Sequence, residues 1–180
     1  MIFFAILVLS LFSSLVVQEF IPPLAWLFGA RVLLLPVIMF YGALALPYWG
    51  MLAMAFISGF MWDALTVQPL DSSVEISLGW SIVLYAVLGA IMSGFRPLFQ
   101  RGRWEIHCLF SGLFTSVIVL SEYLMITIRR GGFVFNSEIW WRIGGAGIIA
   151  ALLAPFFYFI LNWIASLVGY EINPEEKGIN

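Results

Sequence analysis

The chain is a succession of long apolar runs separated by short polar breaks, and this pattern limits what it can fold into. A helix that crosses the hydrocarbon core of a bilayer needs about 20 apolar residues. Of the 180 residues, 63% are hydrophobic and 10% are charged, whereas a soluble domain carries about 25% charged residues. Because so few charged side chains cannot cover a water-facing surface, the sequence predicts an integral membrane protein.

Prolines, glycines and charged residues divide the chain into about six predicted transmembrane helices, which indicates an all-α bundle. Consecutive prolines cannot lie inside a helix, so Pro22 and Pro23 separate the first span from the second. The predicted spans are residues 2–17, 32–46, 48–65, 78–93, 106–128 and 140–168, and the second can include part of 24–30. We therefore expect one transmembrane domain over residues 1–170 and a short polar tail over 171–180.

Two polar stretches between the spans predict pieces of chain that lie along the membrane surface. Residues 66–77 are the most polar internal segment, and Val74, Ile76 and Leu78 alternate with polar residues, which is typical of extended chain. Residues 132–139 form the second piece. Tryptophan prefers the headgroup level, and all eight tryptophans fall near predicted span ends.

Positive charge in short loops favours the cytoplasmic side, and the loop with Arg96, Arg101 and Arg103 is the strongest such signal. An even number of spans then places both termini in the cytoplasm. This orientation divides the eight Lys and Arg residues equally, four on each side. The positive-inside rule therefore favours it only weakly.

Four charged residues lie within or beside the apolar runs and are candidate functional residues. Asp63 lies near the end of the third span, and Glu122 lies about 10 Å from the end of the fifth. A charge inside a membrane is costly and normally faces a partner or a cavity. With six spans, Arg31 and Arg142 begin the second and sixth at the same side. We therefore expect a cluster of both acids with these arginines or with Arg130.

Each acid also has a purely structural interpretation. Asp63 can cap a helix end among hydrated headgroups, and Glu122 can form a structural pair inside the bundle. A proton or ion pathway is less favoured, because such pathways usually contain more than one buried acid.

The sequence contains no pattern typical of a catalytic, metal or cofactor site. Metal sites need several ligands at suitable spacing, and the chain has a single histidine, His107, and a single cysteine, Cys108. One cysteine also excludes a disulfide within the chain. The net charge of −2 provides no nucleic-acid footprint. We therefore expect no catalytic residues, no metal, no cofactor and no nucleic-acid partner.

One stretch, residues 56–92, resembles a known family of bacterial membrane proteins. It reads FISGFMWDALTVQPL and, further on, LGWSIVLYAVLGAIM, with Gly59, Asp63, Pro69 and Gly79 at the distinctive positions. This arrangement resembles the MreD family of rod-shape-determining proteins, in which a glycine and an aspartate end a middle span and a Pro-Leu-Gly turn follows. Here residues 71–78 separate Pro-Leu from the glycine, so the loop is longer than in the family.

The resemblance implies a non-enzymatic subunit of the cell-elongation machinery in the bacterial cytoplasmic (inner) membrane. It implies an MreC-like membrane protein as the direct partner. It also implies indirect partners. These are the actin-like MreB and a SEDS glycosyltransferase with its transpeptidase, the two enzymes that make lateral peptidoglycan.

The resemblance also implies a fold similar to the substrate-binding subunits of energy-coupling-factor vitamin transporters. A transporter subunit is therefore the alternative, and it requires a polar pocket between helices near Asp63 and Glu122. A membrane-embedded enzyme that acts on a lipid is a third hypothesis. It requires several buried polar residues that converge at the membrane–water interface.

Overall fold

The structure is a computed structural model that describes residues 1–66, 69–70, 73–74, 79–99, 104–130, 132 and 136–170. Over these residues the chain is helical apart from one two-stranded hairpin and short connections, so the predicted all-α class is confirmed. The helices are α1 (Ile2–Phe20), α2 (Leu35–Ala45), α3 (Tyr48–Thr66), α4 (Trp80–Gly94), α5 (Arg96–Phe99), α6 (Trp104–Arg130) and α7 (Ser137–Leu167). The hairpin pairs β1 (Pro69–Leu70) with β2 (Ser73–Val74).

Each predicted span corresponds to one of the longer helices, with ends that agree within three residues. Three helices are long and apolar enough to cross a membrane: Ile2–Phe20, Trp104–Ile128 and Ser137–Leu167. Large apolar side chains such as Phe12, Phe60 and Leu152 are exposed on the outside of the bundle. Soluble monomers rarely expose apolar patches of this extent. The chain is a membrane protein, and a total of six crossings stays a prediction.

α2 lies at the centre of the bundle and is too short to fill it. All 11 of its residues are buried, and it packs against α1, α3, α4, α6 and α7. At 1.5 Å per residue it is about 16 Å long, roughly half of the hydrocarbon thickness of a bilayer. The centre of the bundle is therefore occupied by helix at one end and by other parts of the chain at the opposite end.

A side chain from α1 completes the N-terminal end of α2. The buried Gln18 accepts hydrogen bonds on Oε1 from the amides of Leu34 and Leu35, at 3.1 and 3.4 Å. The first amides of a helix have no partner inside the helix, and water is absent from a membrane interior. Gln18 therefore allows α2 to begin inside the bundle.

The C-terminal end of α2 is completed by two other residues. Arg96 donates from Nη2 to the carbonyl of Ala43 at 3.1 Å and also to the carbonyl of Leu46. The Tyr170 hydroxyl donates to the carbonyl of Ala45 at 3.0 Å. A cation suits this end because the helix dipole is negative there. Arg96, predicted only as a loop charge, is thus a partly buried cap.

The connection between α1 and α2 differs from the prediction. Residues 24–30 do not extend α2, because Leu24 and Ala30 pair in a β-bridge around a 3-10 turn at Ala25–Leu27. This turn packs on the start of α7, where a Cβ added to Gly145 would lie 2.6 Å from Leu27 and 2.9 Å from Ala30. The turn therefore covers part of the bundle end that α2 does not reach.

The second predicted surface piece is partly wrong. α7 begins at Ser137, so residues 137–139 are helical, and Asn136 caps this helix by accepting from the Ser137 amide at 2.7 Å. Of the first surface piece, the structure describes Thr66 and the β1–β2 hairpin. Arg101, Arg103, residues 75–78 and the tail 171–180 lie outside the described residues.

Four of the other long helices form two hairpins around α2, and the fifth, α1, packs against α2 and α3. α3 packs along α4, and α6 packs along α7, and these are the most extensive contacts between helices. α3 and α6 contact each other far less. A gap therefore separates the two hairpins where α2 is absent, and the candidate site lies in it.

Candidate functional site

Asp63 and Gly79, two residues of the pattern that resembles the MreD family, are joined by a hydrogen bond. The Gly79 amide donates to Oδ2 of Asp63 at 2.6 Å, and the Asp63 side chain is 1% exposed. Gly79 immediately precedes α4 and has φ +102°, a conformation that residues with a Cβ rarely adopt. Asp63 thus holds the end of α3 to the beginning of α4, and Gly79 provides the backbone shape that this requires.

Gly59 belongs to the same contact, one helical turn before Asp63. A Cβ at this position would lie 2.8 Å from the carbonyl carbon of Ser81 and closer still to the backbone of Ile82. The two helices can approach this closely only because residue 59 has no side chain. We call the contact of Gly59, Asp63 and Gly79 with Ser81 and Ile82 the α3–α4 joint.

Pro69, the fourth residue of the pattern, lies in β1 rather than in the joint. It pairs with Val74 in the antiparallel hairpin. Proline lacks an amide hydrogen, and an edge strand is one of the few places in a sheet that tolerate it. The pattern therefore includes both the α3–α4 joint and the β1–β2 hairpin, which lies in the connection between these two helices.

A cleft of about 420 Å³ lies between the two hairpins, at the end of the bundle where α2 is absent. It receives polar side chains from several elements: Glu19 from α1, Arg31 from the connection before α2, Trp62 and Thr66 from α3, Glu122 from α6 and Arg142 from α7. We call it the polar cleft. Its apolar walls are formed by Leu33, Leu65, Val119, Ile126 and Ala146.

Trp62 and Glu122 connect the two helix hairpins beside the polar cleft. The buried Trp62 indole donates from Nε1 to Oε1 of Glu122, which is half-buried on α6. The fully buried Tyr85 lies within electrostatic reach of the Glu122 and Asp63 carboxylates. A hydrogen bond between an indole and a carboxylate is strengthened where water is scarce. This bond is therefore a cross-link between α3 and α6.

Arg142 holds the turn that precedes α2. Its Nε donates to the carbonyl of Phe28 at 3.1 Å, and Phe28 has a left-handed backbone with φ 52°. The guanidinium lies against Gly29, where an added Cβ would be 3.6 Å from Nε. Trp141 also stacks on Phe28, with ring centroids 6.0 Å apart. The beginning of α7 thus holds the connection between α1 and α2 in place, and this connection brings Arg31 to the cleft.

A smaller hollow of about 110 Å³ adjoins the polar cleft and shares Glu19, Arg31 and Trp62 with it. Gln18 lines this hollow. Its Oε1 is occupied by the amides before α2, and its buried Nε2 has no hydrogen-bond partner among the residues that the structure describes. A buried donor without a partner is costly. Gln18 therefore brings an unsatisfied buried donor to the group of residues that line the hollow.

Three of the four predicted charged residues meet at the polar cleft, and one does not. Arg31, Glu122 and Arg142 line it, whereas Asp63 lies in the α3–α4 joint. Sequence reasoning assigned Trp62 to the headgroup level and did not single out Gln18. The only available signal for Gln18 was a polar side chain at the end of an apolar run.

The separate positions of Asp63 and Arg142 lead to a testable expectation. Asp63 bonds Gly79 and Arg142 bonds Phe28, so the two share no partner. We expect the destabilisations caused by Asp63→Asn and Arg142→Gln to add, with a coupling below about 0.5 kcal/mol in a double-mutant cycle of unfolding in detergent. A coupling above about 1 kcal/mol would instead indicate that the two charges pair directly.

No group of three or more His, Cys, Asp or Glu side chains that could hold a metal occurs among the described residues. Comparison of the chain with protein-family models, with curated proteins and with solved structures finds no match. The α3–α4 joint and the polar cleft are therefore the features from which a function can be inferred.

Proposed function

We propose that this protein is a non-enzymatic scaffold of the bacterial cell-elongation machinery, similar to the MreD family and resident in the cytoplasmic membrane. It crosses the membrane six times and keeps both termini in the cytoplasm. It binds an MreC-like membrane protein. Through that partner it acts with MreB and with the SEDS glycosyltransferase and transpeptidase that build lateral peptidoglycan.

The observation that supports this proposal is the α3–α4 joint. Gly59, Asp63 and Gly79 are the residues on which the resemblance depends, and they meet in one contact although 20 positions separate the first from the last. The pattern is thus a structural unit of the protein.

The joint also suggests where a partner binds. The Asp63–Gly79 hydrogen bond closes the connection between α3 and α4, because it joins the end of one helix to the beginning of the next. The bond thereby fixes the distance between the end of α3 and the beginning of α4, the two helices that the polar segment connects. Lipid provides no hydrophobic drive between helices, so polar contacts and close packing must select the partner.

The test is co-purification from bacterial membranes in mild detergent, followed by mass spectrometry. The variant changes two acids of the polar segment together, Asp71→Asn and Glu75→Gln. We expect the wild-type protein to recover an MreC-like protein with one membrane anchor. We expect the variant to recover several-fold less, while it is produced at the same level.

The matched control is Glu105→Gln, which removes an exposed acid at the beginning of α6. This end of α6 is the one remote from Glu122 and the polar cleft. The control should recover as much partner as the wild type. Absence of an MreC-like protein from the wild-type sample would refute the scaffold proposal.

The polar cleft favours a second candidate function, a substrate-binding subunit of a small-molecule transporter. That alternative requires a polar pocket between helices near Asp63 and Glu122. The cleft lies beside Glu122, whereas Asp63 lies in the α3–α4 joint. The volume of the cleft falls in the range of about 300–1,000 Å³ that is typical of ligand pockets. Co-purification of an ATPase pair with a coupling membrane subunit, in place of an MreC-like protein, would favour this candidate.

A further inference from the structure

The polar cleft exists because α2 stops halfway. A helix of 11 residues leaves half of the bundle centre to other parts of the chain and to the cleft. Polar chain at membrane depth is tolerated only where it is buried in protein or lines a cavity. Several side chains that line this space have hydrogen-bonding groups that form no bond with the described residues. A ligand with matching groups would satisfy them.

Three donors are unused at the cleft and the adjoining hollow, which also contain the carboxylates of Glu19 and Glu122. No hydrogen bond or ion pair joins Arg31 to the residues that the structure describes, although it lies within electrostatic reach of Glu122. Arg142 uses Nε for the Phe28 carbonyl, which leaves its terminal nitrogens available. The Nε2 of Gln18 is a third unused donor.

The orientation of the Gln18 amide follows from the hydrogen bonds that it accepts. Oε1 must face the amides of Leu34 and Leu35, because both are donors. Nε2 therefore occupies the other position, beside the hollow. The positive end of the α2 dipole lies here as well. Donors, cations and a helix dipole together favour a ligand with several anionic oxygens.

The surroundings of the cleft favour an amphipathic ligand. Leu65, Val119 and Ile126 form an apolar wall beside the charged groups. They belong to α3 and α6, the two helices that contact each other little, so the cleft adjoins a seam between the hairpins. Basic pockets between transmembrane helices on the cytoplasmic side of a membrane bind phospholipid headgroups. The proposed orientation places this cleft at the outer side, where the same headgroup chemistry is present.

We propose that the polar cleft and the adjoining hollow together bind a phosphate group, and that a membrane phospholipid supplies it. Arg31 and Arg142 are donors in the cleft, and Gln18 is a donor in the hollow, which shares Arg31 with the cleft. The apolar wall between α3 and α6 accommodates the beginning of the acyl chains. Glu19 and Glu122 also line the cleft. The Trp62 indole donates to Glu122 and Arg31 lies within electrostatic reach of it, which offsets part of its negative charge. This inference does not depend on the scaffold function, and it would also name the ligand class of the second candidate.

Native mass spectrometry of the delipidated protein in detergent tests this proposal. The probe is dioleoyl phosphatidylglycerol, and dioleoylglycerol is the matched lipid without phosphate. We expect the wild type to retain the phospholipid at least about tenfold more tightly than the diacylglycerol, because each charge-assisted hydrogen bond contributes at least that factor. Inorganic phosphate, added as a competitor, distinguishes the source: displacement indicates a soluble phosphate ligand, and its absence indicates the lipid.

Two variants test the residues. Arg31→Gln removes a guanidinium that bonds nothing in the described part of the chain, so folding should be preserved while phospholipid retention falls about tenfold. Gln18→Glu keeps an oxygen for the Leu34 and Leu35 amides and replaces the Nε2 donor by a second acceptor, with a similar expected loss. Lys177→Gln, in the polar tail, removes a positive charge elsewhere and should change nothing.

Thermal unfolding of each variant separates loss of binding from loss of fold. Equal retention of phosphatidylglycerol by the wild type, Arg31→Gln and Gln18→Glu would overturn the proposal. Equal retention of dioleoylglycerol and phosphatidylglycerol by the wild type would do so too. Neither result would affect recovery of an MreC-like partner, so this inference and the scaffold proposal can fail separately.

Discussion

Gly59→Ala is expected to destabilise the protein by about 1–3 kcal/mol, the usual cost of inserting a methyl group into a packed interior. The added Cβ would meet the carbonyl carbon of Ser81 at 2.8 Å and the backbone of Ile82 more closely still. Backbone cannot move aside as a flexible side chain can, so the two helices must separate. Unfolding in mixed detergent micelles, followed by tryptophan fluorescence, measures the loss.

Gly144→Ala is the matched control for this prediction. Gly144 lies in α7, and among the described residues no atom outside its own local helix lies within 4 Å of the position that a Cβ would take. Alanine favours a helix over glycine by up to about 1 kcal/mol, so this variant should be as stable as the wild type or slightly more stable. If Gly59→Ala unfolds at the same denaturant fraction as Gly144→Ala, the close approach at the joint is wrong.

Asp63→Ala should have an effect of similar size for a different reason. The substitution removes the acceptor of the Gly79 amide, and a hydrogen bond to a charged group contributes about 1.5–3 kcal/mol to stability. The end of α3 would then no longer be tied to the beginning of α4. We expect lower stability and faster hydrogen exchange in the first turn of α4, measured by mass spectrometry on peptides that begin near residue 79.

Asp63→Asn separates the hydrogen bond from the charge. Its side-chain oxygen can still accept from Gly79, so a structural role predicts a loss clearly smaller than that of Asp63→Ala. Faster exchange should remain confined to α4, and the α6–α7 hairpin should be unaffected. Equal losses for the two variants would show that the negative charge itself is needed, which the Asp63–Gly79 bond does not explain.

The contrast between Asp63 and Glu122 shows how far sequence reasoning reaches. Both were recognised as acids in apolar surroundings, and in both cases a structural alternative was open. In the structure, Asp63 bonds a backbone amide 16 residues further along the chain, and Glu122 bonds an indole 60 residues away. The first partner belongs to the recognised pattern. The second could not be inferred, because tryptophan is common near membrane interfaces for unrelated reasons.

The sequence by itself determined that the protein lies in a lipid bilayer, that it is helical, and approximately where its helices begin and end. These follow from local properties, because a bilayer requires each backbone segment to satisfy its own hydrogen bonds, and apolar runs of sufficient length do so as helices. It also indicated the glycine and aspartate of the joint, since a turn and a close helix contact limit which residues fit.

Only the tertiary structure decided that α2 is central and stops halfway, that Gln18 and Arg96 complete its two ends, and that the resulting space becomes a cleft. These features depend on which helices are neighbours. An apolar helix of this composition carries no face that identifies its partners, because all 11 of its residues are buried alike. The position of a polar side chain relative to such a helix is set by packing over the whole bundle, which no local pattern encodes.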